Sequence, residues 1–235
     1  MATPSTITMS KGLFTGKWVI DKRFSPSPEP GLKVQGITWV LRKAVALAVV
    51  TLHISISSPS ASHLSNTTGS QLPLQEELYL AVLQVPTAGL APIPETRILD
   101  WDRRAPLRDF LFGARQSRNR FVPGKRGLSG RIVPDVVPET AINDELIGQM
   151  LRGEILPGQE HGSGFLVEGD GEGAENPGLW IHSFDSREDG TWTVEQVWGF
   201  ELVGGERYHT RRFVVANRDG VFEMGRIVFS YLGPL

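Results

Sequence analysis

One stretch near the C-terminus alternates aromatic and polar side chains in a way that can build a binding site. In segment 191–201 one face is mostly aromatic or aliphatic, and it consists of Trp192, Val194, Gln196, Trp198 and Phe200. The apolar face of a strand points into a core, so Gln196 is carried inward with it. A buried carboxamide needs a partner, which is a neighbouring side chain, an ordered water or a ligand. Gln196 is therefore the first candidate for a residue that polarises a bound carbonyl group.

Other polar side chains are candidates for the same site. His182 alternates with Trp180 and Phe184, and this pattern predicts an inward imidazole among aromatic rings. Segment 206–216 leaves two alternatives for its inner face, which are Tyr208, Thr210 and Arg212, or His209, Arg211 and Phe213. On the last strand Arg226 shares a face with Phe222, Met224 and Val228, so either this arginine lies inside or this face is the outer one.

From these patterns we predict two groups of site residues. The predicted catalytic residues are Gln196, His182 and Tyr208. The predicted ligand-binding residues are Trp18, Trp39, Trp101, Trp192, Trp198, Arg226, Arg212 and Phe110. Such a site would be mostly apolar with a few convergent polar groups, which is typical of pockets for small hydrophobic molecules.

Composition and the remaining motifs exclude several classes of protein. The 235 residues include no cysteine, which excludes disulfides and a thiol nucleophile, and a formal charge of −2 indicates no nucleic-acid partner. The chain has no phosphate-binding loop, no dinucleotide glycine motif and no His-Glu-x-x-His, and its five histidines are scattered. We therefore expect no cofactor and no metal. The N-terminus shows no secretory signal and no apolar run approaches the ~20 residues of a membrane span, so we expect a cytoplasmic protein without an integral membrane segment.

The opening strand organises the predicted fold. In segment 13–22 one face is largely apolar, with Phe14, Gly16, Trp18 and Ile20, and the other is mostly polar. A proline-rich turn at 25–31 leads into a helical passage at 32–44 that Gly36 interrupts. A second strand follows at 49–56.

These residues and this order of elements resemble the fatty-acid-binding proteins and their lipocalin relatives, the calycins. Phe14-x-Gly16-x-Trp18 looks like their first-strand signature, and Gly36-Ile37-x-Trp39-x-x-Arg42-Lys43 is similar to their second portal helix. The Gly-Lys-Trp-Val opening is also similar to that of small uncharacterised fungal proteins. The resemblance implies a β-barrel around a cavity for an apolar ligand. It also implies that a C-terminal arginine receives a ligand carboxylate, a role that falls on Arg226 although Val228 stands where the family has tyrosine.

The remaining segments complete the predicted barrel. Strands are predicted at 78–85, 96–101 and 109–115, and four more, joined by tight turns, at 179–185, 191–201, 206–216 and 221–231. We predict a mainly β protein, an antiparallel up-and-down barrel of about eight to ten strands with short portal helices. Residues 1–11 are expected to be flexible and residues 12–235 to form one domain. The glycine- and proline-rich segment 123–177 is predicted to be a long insertion with one helix at 140–152.

Three functions are compatible with such a barrel. The first is a cofactor-independent cyclase or isomerase of the pericyclase type, acting on a polyketide, terpenoid or fatty-acid-like molecule of natural-product biosynthesis. The second is a non-catalytic carrier of a hydrophobic small molecule. The third is a protein-interaction module that uses the insertion as its surface. The sequence allows a homodimer in each case.

Overall fold

A computed structural model describes residues 1–9, 14–58, 77–87, 89–156, 164–167 and 179–235. The strands in these ranges are β1 (Gly16–Ile20), β2 (Val50–Ser57), β3 (Tyr79–Pro86), β4 (Ile93–Ile98), β5 (Ala105–Asp109), β6 (Gly113–Val122), β7 (Gly124–Arg126), β8 (Ile132–Pro134), β9 (Trp180–Arg187), β10 (Trp192–Val203), β11 (Glu206–Asn217) and β12 (Phe222–Gly233). The helices are α1 (Glu29–Val34), α2 (Trp39–Leu47) and α3 (Glu145–Leu151).

Ten of these strands form one antiparallel sheet that curls into a nearly closed barrel. Their order is β4-β3-β2-β1-β12-β11-β10-β9-β6-β5, so the first and last strands of the chain pair with each other. The two ends of the sheet, β4 and β5, lie against each other, but no backbone ladder joins them in the part of the chain that the structure describes. The barrel confirms the predicted mainly β, antiparallel architecture, and it is compatible with a calycin-like fold.

Aromatic side chains fill one end of the barrel. Trp18 on β1 is fully buried and packs against Phe14, Phe200 and Tyr231, with ring centroids 5.0–6.3 Å apart. A Cβ atom at Gly16 would lie 2.6 Å from the Tyr231 ring, so only glycine allows this close approach. The opening strand therefore faces inward with its apolar side, as its alternation predicts.

The helices α1 and α2 connect β1 to β2 at the other end of the barrel. Gly36 separates them with a φ of 74°, a backbone conformation that favours glycine, which explains the interruption seen in the sequence. The Lys22 ammonium donates to the carbonyl oxygens of Ala46 and Leu47 at the end of α2. None of the helices in the described ranges has the length and apolar content needed to cross a membrane.

The described part of the 123–177 insertion packs on the outside of the barrel. Strands β7 and β8 form a small separate sheet, and α3 covers β11 and β12. Ile147 and Leu151 of α3 join Phe165 in a second hydrophobic core built on Trp180 and Val197, residues of the outer barrel face. The predicted helix 140–152 is shorter in the structure, because the Asp144 side chain caps the helix by accepting from Leu146 N at 2.9 Å. Residues 157–163 and 168–177 of the insertion lie outside the described ranges.

One other segment differs from its sequence-based description. The stretch predicted as one strand at 109–115 contains the last residue of β5, a turn at 110–112 and the first residues of β6, because the Asp109 carboxylate accepts from the backbone N–H groups of Leu111 and Phe112. Part of the N-terminal segment lies beside the barrel. Thr3 N donates to the Arg207 carbonyl oxygen at 2.6 Å.

Candidate ligand cavity

A cavity of about 250 Å³ occupies the half of the barrel interior that the aromatic cluster does not fill. It lies beneath α1 and α2, which contribute Leu32 and Val45 to its rim. The turn between β5 and β6 closes another side with Phe110, Leu111 and Phe112. The predicted cavity for a small molecule therefore has a physical counterpart at the helix-covered end of the barrel.

Most of the cavity wall is apolar, because alternate residues of each strand point inward. The inner face of β10 begins with Trp192, Val194 and Gln196 as the alternation predicts, and β11 and β12 add Phe213, Val215, Ile227 and Phe229. A wall of this kind binds hydrophobic molecules by removing their surface from water, at roughly 25 cal/mol per Å² of apolar area.

A buried charged network lies at one side of the cavity. Arg97 on β4 donates to Asp185 on β9 at 2.8 and 2.9 Å, and to Glu95 at 2.8 and 3.0 Å. Arg115 on β6 donates to Glu95 at 2.5 Å and also pairs with Asp109. Because each of these carboxylates accepts from a guanidinium, the network offsets much of the cost of burying the charges.

The pKa values of this network reflect its mutual attractions. Burial raises the pKa of Asp185, but the Arg97 guanidinium, the Ser117 hydroxyl and Arg115 together outweigh burial and hold this pKa below its ordinary value of 3.8. Burial lowers the pKa of Arg97, and the Asp185 and Glu95 carboxylates overcome that effect, so this pKa is raised. Both groups are charged at neutral pH.

Arg211 on β11 also lines the cavity but has a different environment. Its guanidinium carbon lies 3.5 Å from the centroid of the Trp198 ring and 4.9 Å from that of Phe229. Its Nε donates to His209 Nε2 at 3.3 Å, and within the described ranges its buried Nη2 has no hydrogen-bond partner. Burial and the nearby Arg97 lower the pKa of Arg211 to about 9, so the side chain is a cation at neutral pH.

His209 holds this arginine in place. Its Nδ1 lies 3.1 Å from the Gly199 carbonyl oxygen, which fixes the proton on Nδ1 and leaves Nε2 to accept from Arg211. Burial and the neighbouring Arg211 guanidinium lower the pKa of His209 well below 6.5. The imidazole stacks on Phe229 at a centroid distance of 5.0 Å, so it is a neutral member of the aromatic core.

Gln196 presents a second polar group to the cavity. Its Oε1 accepts from the indole N–H of Trp198 at 2.8 Å, which orients the carboxamide. No described residue accepts a hydrogen bond from Nε2, so this amide nitrogen is available as a donor to a bound molecule. The cavity thus combines mostly apolar walls with polar groups that include the donors Gln196 and Arg211.

Comparison with known proteins indicates which class of function this cavity could serve. The chain resembles fungal pericyclases along its whole length. It is 26% identical over 234 residues to pericyclase pydY of an Acremonium species, covering 100% of this chain and 98% of the relative. It is 23% identical over 233 residues to the probable pericyclase scpY of Mollisia scopiformis, covering 99% and 96%. No protein-family model and no solved structure matches the chain. The two relatives favour a cyclase-type function for this barrel.

Some of the predicted site residues are at the cavity and others fill the core. Gln196, Trp192 and Phe110 line the cavity. Trp198 lies beneath Arg211, and Trp18 belongs to the aromatic cluster at the far end of the barrel.

The other predicted residues lie away from the cavity. His182 is on the outer face of β9, where its Nε2 bonds to Glu195 at 2.8 Å and its ring stacks on Trp101 at 4.5 Å. Tyr208 donates to Glu206 at 2.7 Å, and Trp39 on α2 is 62% exposed. Arg212 and Arg226 share the Glu201 carboxylate on the outer face, beneath α3. Burial raises the pKa of Glu201, but Arg212, Arg226 and the Thr210 hydroxyl together outweigh burial and the pKa is lowered. None of these residues contacts the cavity in the structure.

Sequence reasoning left out the charged network and did not select Arg211. The inner face of β11 proves to be the one with His209, Arg211 and Phe213, the second of the two alternatives. Glu95 and Arg97 are two residues apart and share a strand face with Ile93, which is a readable signal for an inward charge pair. The partner Asp185 is 88 residues from Arg97, and no local pattern connects the two.

Proposed function

We propose that this protein is a cofactor-independent cyclase or isomerase of the pericyclase type. Its substrate is a flexible, largely apolar molecule of the polyketide, terpenoid or fatty-acid-like class, bound in the barrel cavity. The observation that carries the proposal is an apolar cavity with two oriented donors, in a chain similar over its full length to fungal pericyclases.

The shape of the cavity supports this chemistry. A pericyclic reaction reorganises bonding electrons through a cyclic arrangement of atoms, so the enzyme must hold a flexible chain in one folded conformation. Holding it in a cavity of about 250 Å³ removes conformational freedom before the reaction, which lowers the entropic part of the barrier. The rings of Trp192 and Phe213 supply flat apolar surfaces for the folded substrate.

Gln196 is the proposed polarising residue. Because Trp198 fixes its Oε1, the amide Nε2 can donate to a substrate carbonyl. A hydrogen bond to that oxygen withdraws electrons from the conjugated carbon atoms and stabilises the transition state more than the ground state. Loss of a single donor of this type lowers turnover by about a hundredfold in other enzymes.

An intramolecular pericyclic reaction rearranges bonds and leaves the molecular formula unchanged, and the test uses this property. Extract from a strain of the source organism that lacks the gene is incubated with purified protein, and compounds are followed by chromatography and mass spectrometry. We expect one compound to decrease while an isomer of identical mass increases. A compound that binds without change would indicate a carrier, which is the second function that the cavity allows. An extract with no bound or altered compound would contradict both and favour an interaction module.

A matched pair of variants assigns the effect to the cavity. Gln196→Leu removes the donor inside the barrel, and Gln116→Leu removes a half-buried glutamine on the outer face of β6 that bonds to Glu188 at 3.3 Å. We expect turnover to fall strongly or the product distribution to change only for Gln196→Leu. Unchanged kinetics in that variant would remove Gln196 from the mechanism.

A further inference from the structure

Arg211 combines three properties that ordinary structural arginines do not share. It is only 8% exposed, it lines an apolar cavity, and its Nη2 has no hydrogen-bond partner among the described residues. A buried guanidinium donor without an acceptor costs stability, because its interaction with water is lost and nothing in the protein replaces it. The arrangement is therefore stabilised when a bound molecule supplies the acceptor.

The nearest carboxylates are already occupied. Glu95 accepts from Gln84, Arg97 and Arg115, and its oxygens are thus shared among three donors. Asp185 accepts from both terminal nitrogens of Arg97 and from Ser117 at 2.6 Å. These carboxylates balance the charge of their own arginines, so Arg211 keeps a free donor at the cavity surface.

The guanidinium is also held in a fixed orientation. The guanidinium carbon lies 3.5 Å from the centroid of Trp198 and 4.9 Å from that of Phe229, and His209 accepts from Nε. These contacts with two rings and at Nε leave the terminal nitrogens as the part that can meet a ligand. A fixed planar donor pair is suited to a planar anion with two oxygens.

We infer that Arg211 is the recognition site for a delocalised oxyanion, a carboxylate or an enolate, carried at one end of the apolar ligand. This inference rests on the proposed function and specifies its substrate class as an acidic, apolar molecule. The ion pair forms inside the barrel, where charge-assisted hydrogen bonds are stronger than in water. It also fixes which end of the ligand enters first, because the anion lies beside Arg211 and the apolar body extends toward α1 and α2.

Binding of a non-reacting probe tests the site independently of catalysis. Octanoate and octan-1-ol have the same chain and differ in the anionic group, and both are titrated calorimetrically into the wild-type protein at pH 7.5. We expect octanoate to bind at least about tenfold more tightly. In Arg211→Gln we expect that preference to disappear while octan-1-ol binds as before, and in the exposed control Arg108→Gln both affinities remain. Equal affinities in the wild type, no octanoate binding, or an equal loss of both probes in Arg211→Gln would overturn the inference.

A measurement on the wild-type protein keeps the inference testable if Arg211→Gln does not fold. Octanoate labelled with carbon-13 at its carboxyl carbon is titrated with acid while bound, and its chemical shift reports ionisation. Beside a guanidinium the bound carboxylate stays ionised at lower pH than free octanoate. A bound probe that titrates like the free acid would contradict the inference. Neither experiment depends on turnover, so the anion site and the pericyclase function can fail separately.

Discussion

Arg97 and Asp185 form a two-point ion pair across the side of the barrel where β4 has no neighbouring strand ladder. The Nη1 to Oδ1 and Nη2 to Oδ2 distances are 2.8 and 2.9 Å, and both side chains are buried. Glu95 and Arg115 form a second contact between β4 and β6. The barrel is therefore closed at this position by side chains, where elsewhere it is closed by backbone hydrogen bonds.

The first prediction concerns this closure. Arg97→Met removes the guanidinium and leaves the buried carboxylates of Asp185 and Glu95 without their main partner, which we expect to lower the free energy of unfolding by about 3–5 kcal/mol. Chemical denaturation provides the measurement. The exposed Arg108→Met on the adjacent β5 should change stability by less than about 0.5 kcal/mol. A similar small change in Arg97→Met would show that the ion pair does not hold the two sheet ends together.

The second prediction concerns pH. The pKa of His209 is lowered by burial and by the neighbouring Arg211 and Arg207, so below pH 6.5 the unfolded chain binds a proton that the folded chain does not. Stability then rises with pH, and as pH falls from 6.5 it should decrease by up to about 1.4 kcal/mol per pH unit from this residue. The carboxylates with lowered pKa values contribute only at more acidic pH, because the ordinary values are 3.8 for Asp21, Asp185 and Asp189 and 4.5 for Glu201.

His209→Phe separates this contribution from the others. Phenylalanine keeps the stacking on Phe229 and cannot be protonated, so the stability of the variant should vary less between pH 6.5 and 5. Urea denaturation at several pH values measures the difference between the two slopes. Parallel slopes for the variant and the wild type would show that His209 does not set the pH dependence.

The third prediction concerns how the insertion packs against the barrel. A Cβ atom at Gly199 would lie 2.5 Å from Phe165 and 2.6 Å from Trp180, so Gly199→Ala must displace both of these rings. We expect a loss of about 1–3 kcal/mol from this overpacking. In Gly31→Ala the new atom lies 3.6 Å from Val215, an ordinary contact, and stability should not fall. Thermal unfolding of both variants checks the contrast, and an unaffected Gly199→Ala would argue against the tight contact with Phe165.

The fourth prediction concerns the cavity itself. Val194 lines the cavity on β10, and Val194→Trp places an indole in the space available to a ligand. We expect uptake of octan-1-ol to be lost while the protein remains folded by circular dichroism. Val221→Trp, at a residue that is 55% exposed, adds the same side chain at the surface and should leave uptake unchanged. Retained uptake in Val194→Trp would indicate that apolar molecules bind elsewhere.

The sequence predicts the barrel well where one strand face is apolar and the other polar. Phe14 just before β1, Trp18 on β1, and Trp192 and Trp198 on β10 point inward as their alternation indicates. On β11 the rule fails, because the described part of the insertion covers the outer face and buries Thr210 and Arg212 as completely as His209 is buried inside. When both faces of a strand are covered, alternation of polarity no longer identifies the inner one.

The candidate site is less predictable for a related reason. The roles of Gln196, Arg211 and Asp185 depend on partners in other strands, which sequence spacing does not reveal. His182 has an inward-looking aromatic pattern, yet Trp180 and His182 face the second core and the Trp101 stack outside the barrel. The aromatic neighbours in the sequence therefore predict that His182 is buried, but they do not predict on which side of the sheet it lies.

The aromatic cluster at the far end of the barrel also sets the depth available to a guest molecule. Trp198 belongs to this cluster and lies beneath Arg211, so the position of its indole determines how deeply the acidic group of the proposed ligand can enter the cavity. Related barrels that carry a smaller side chain at this position would have a deeper cavity and accommodate longer molecules. Substitution of this one residue is thus a simple way for such a barrel to change its selectivity for ligand chain length while the residues on its outer face stay the same.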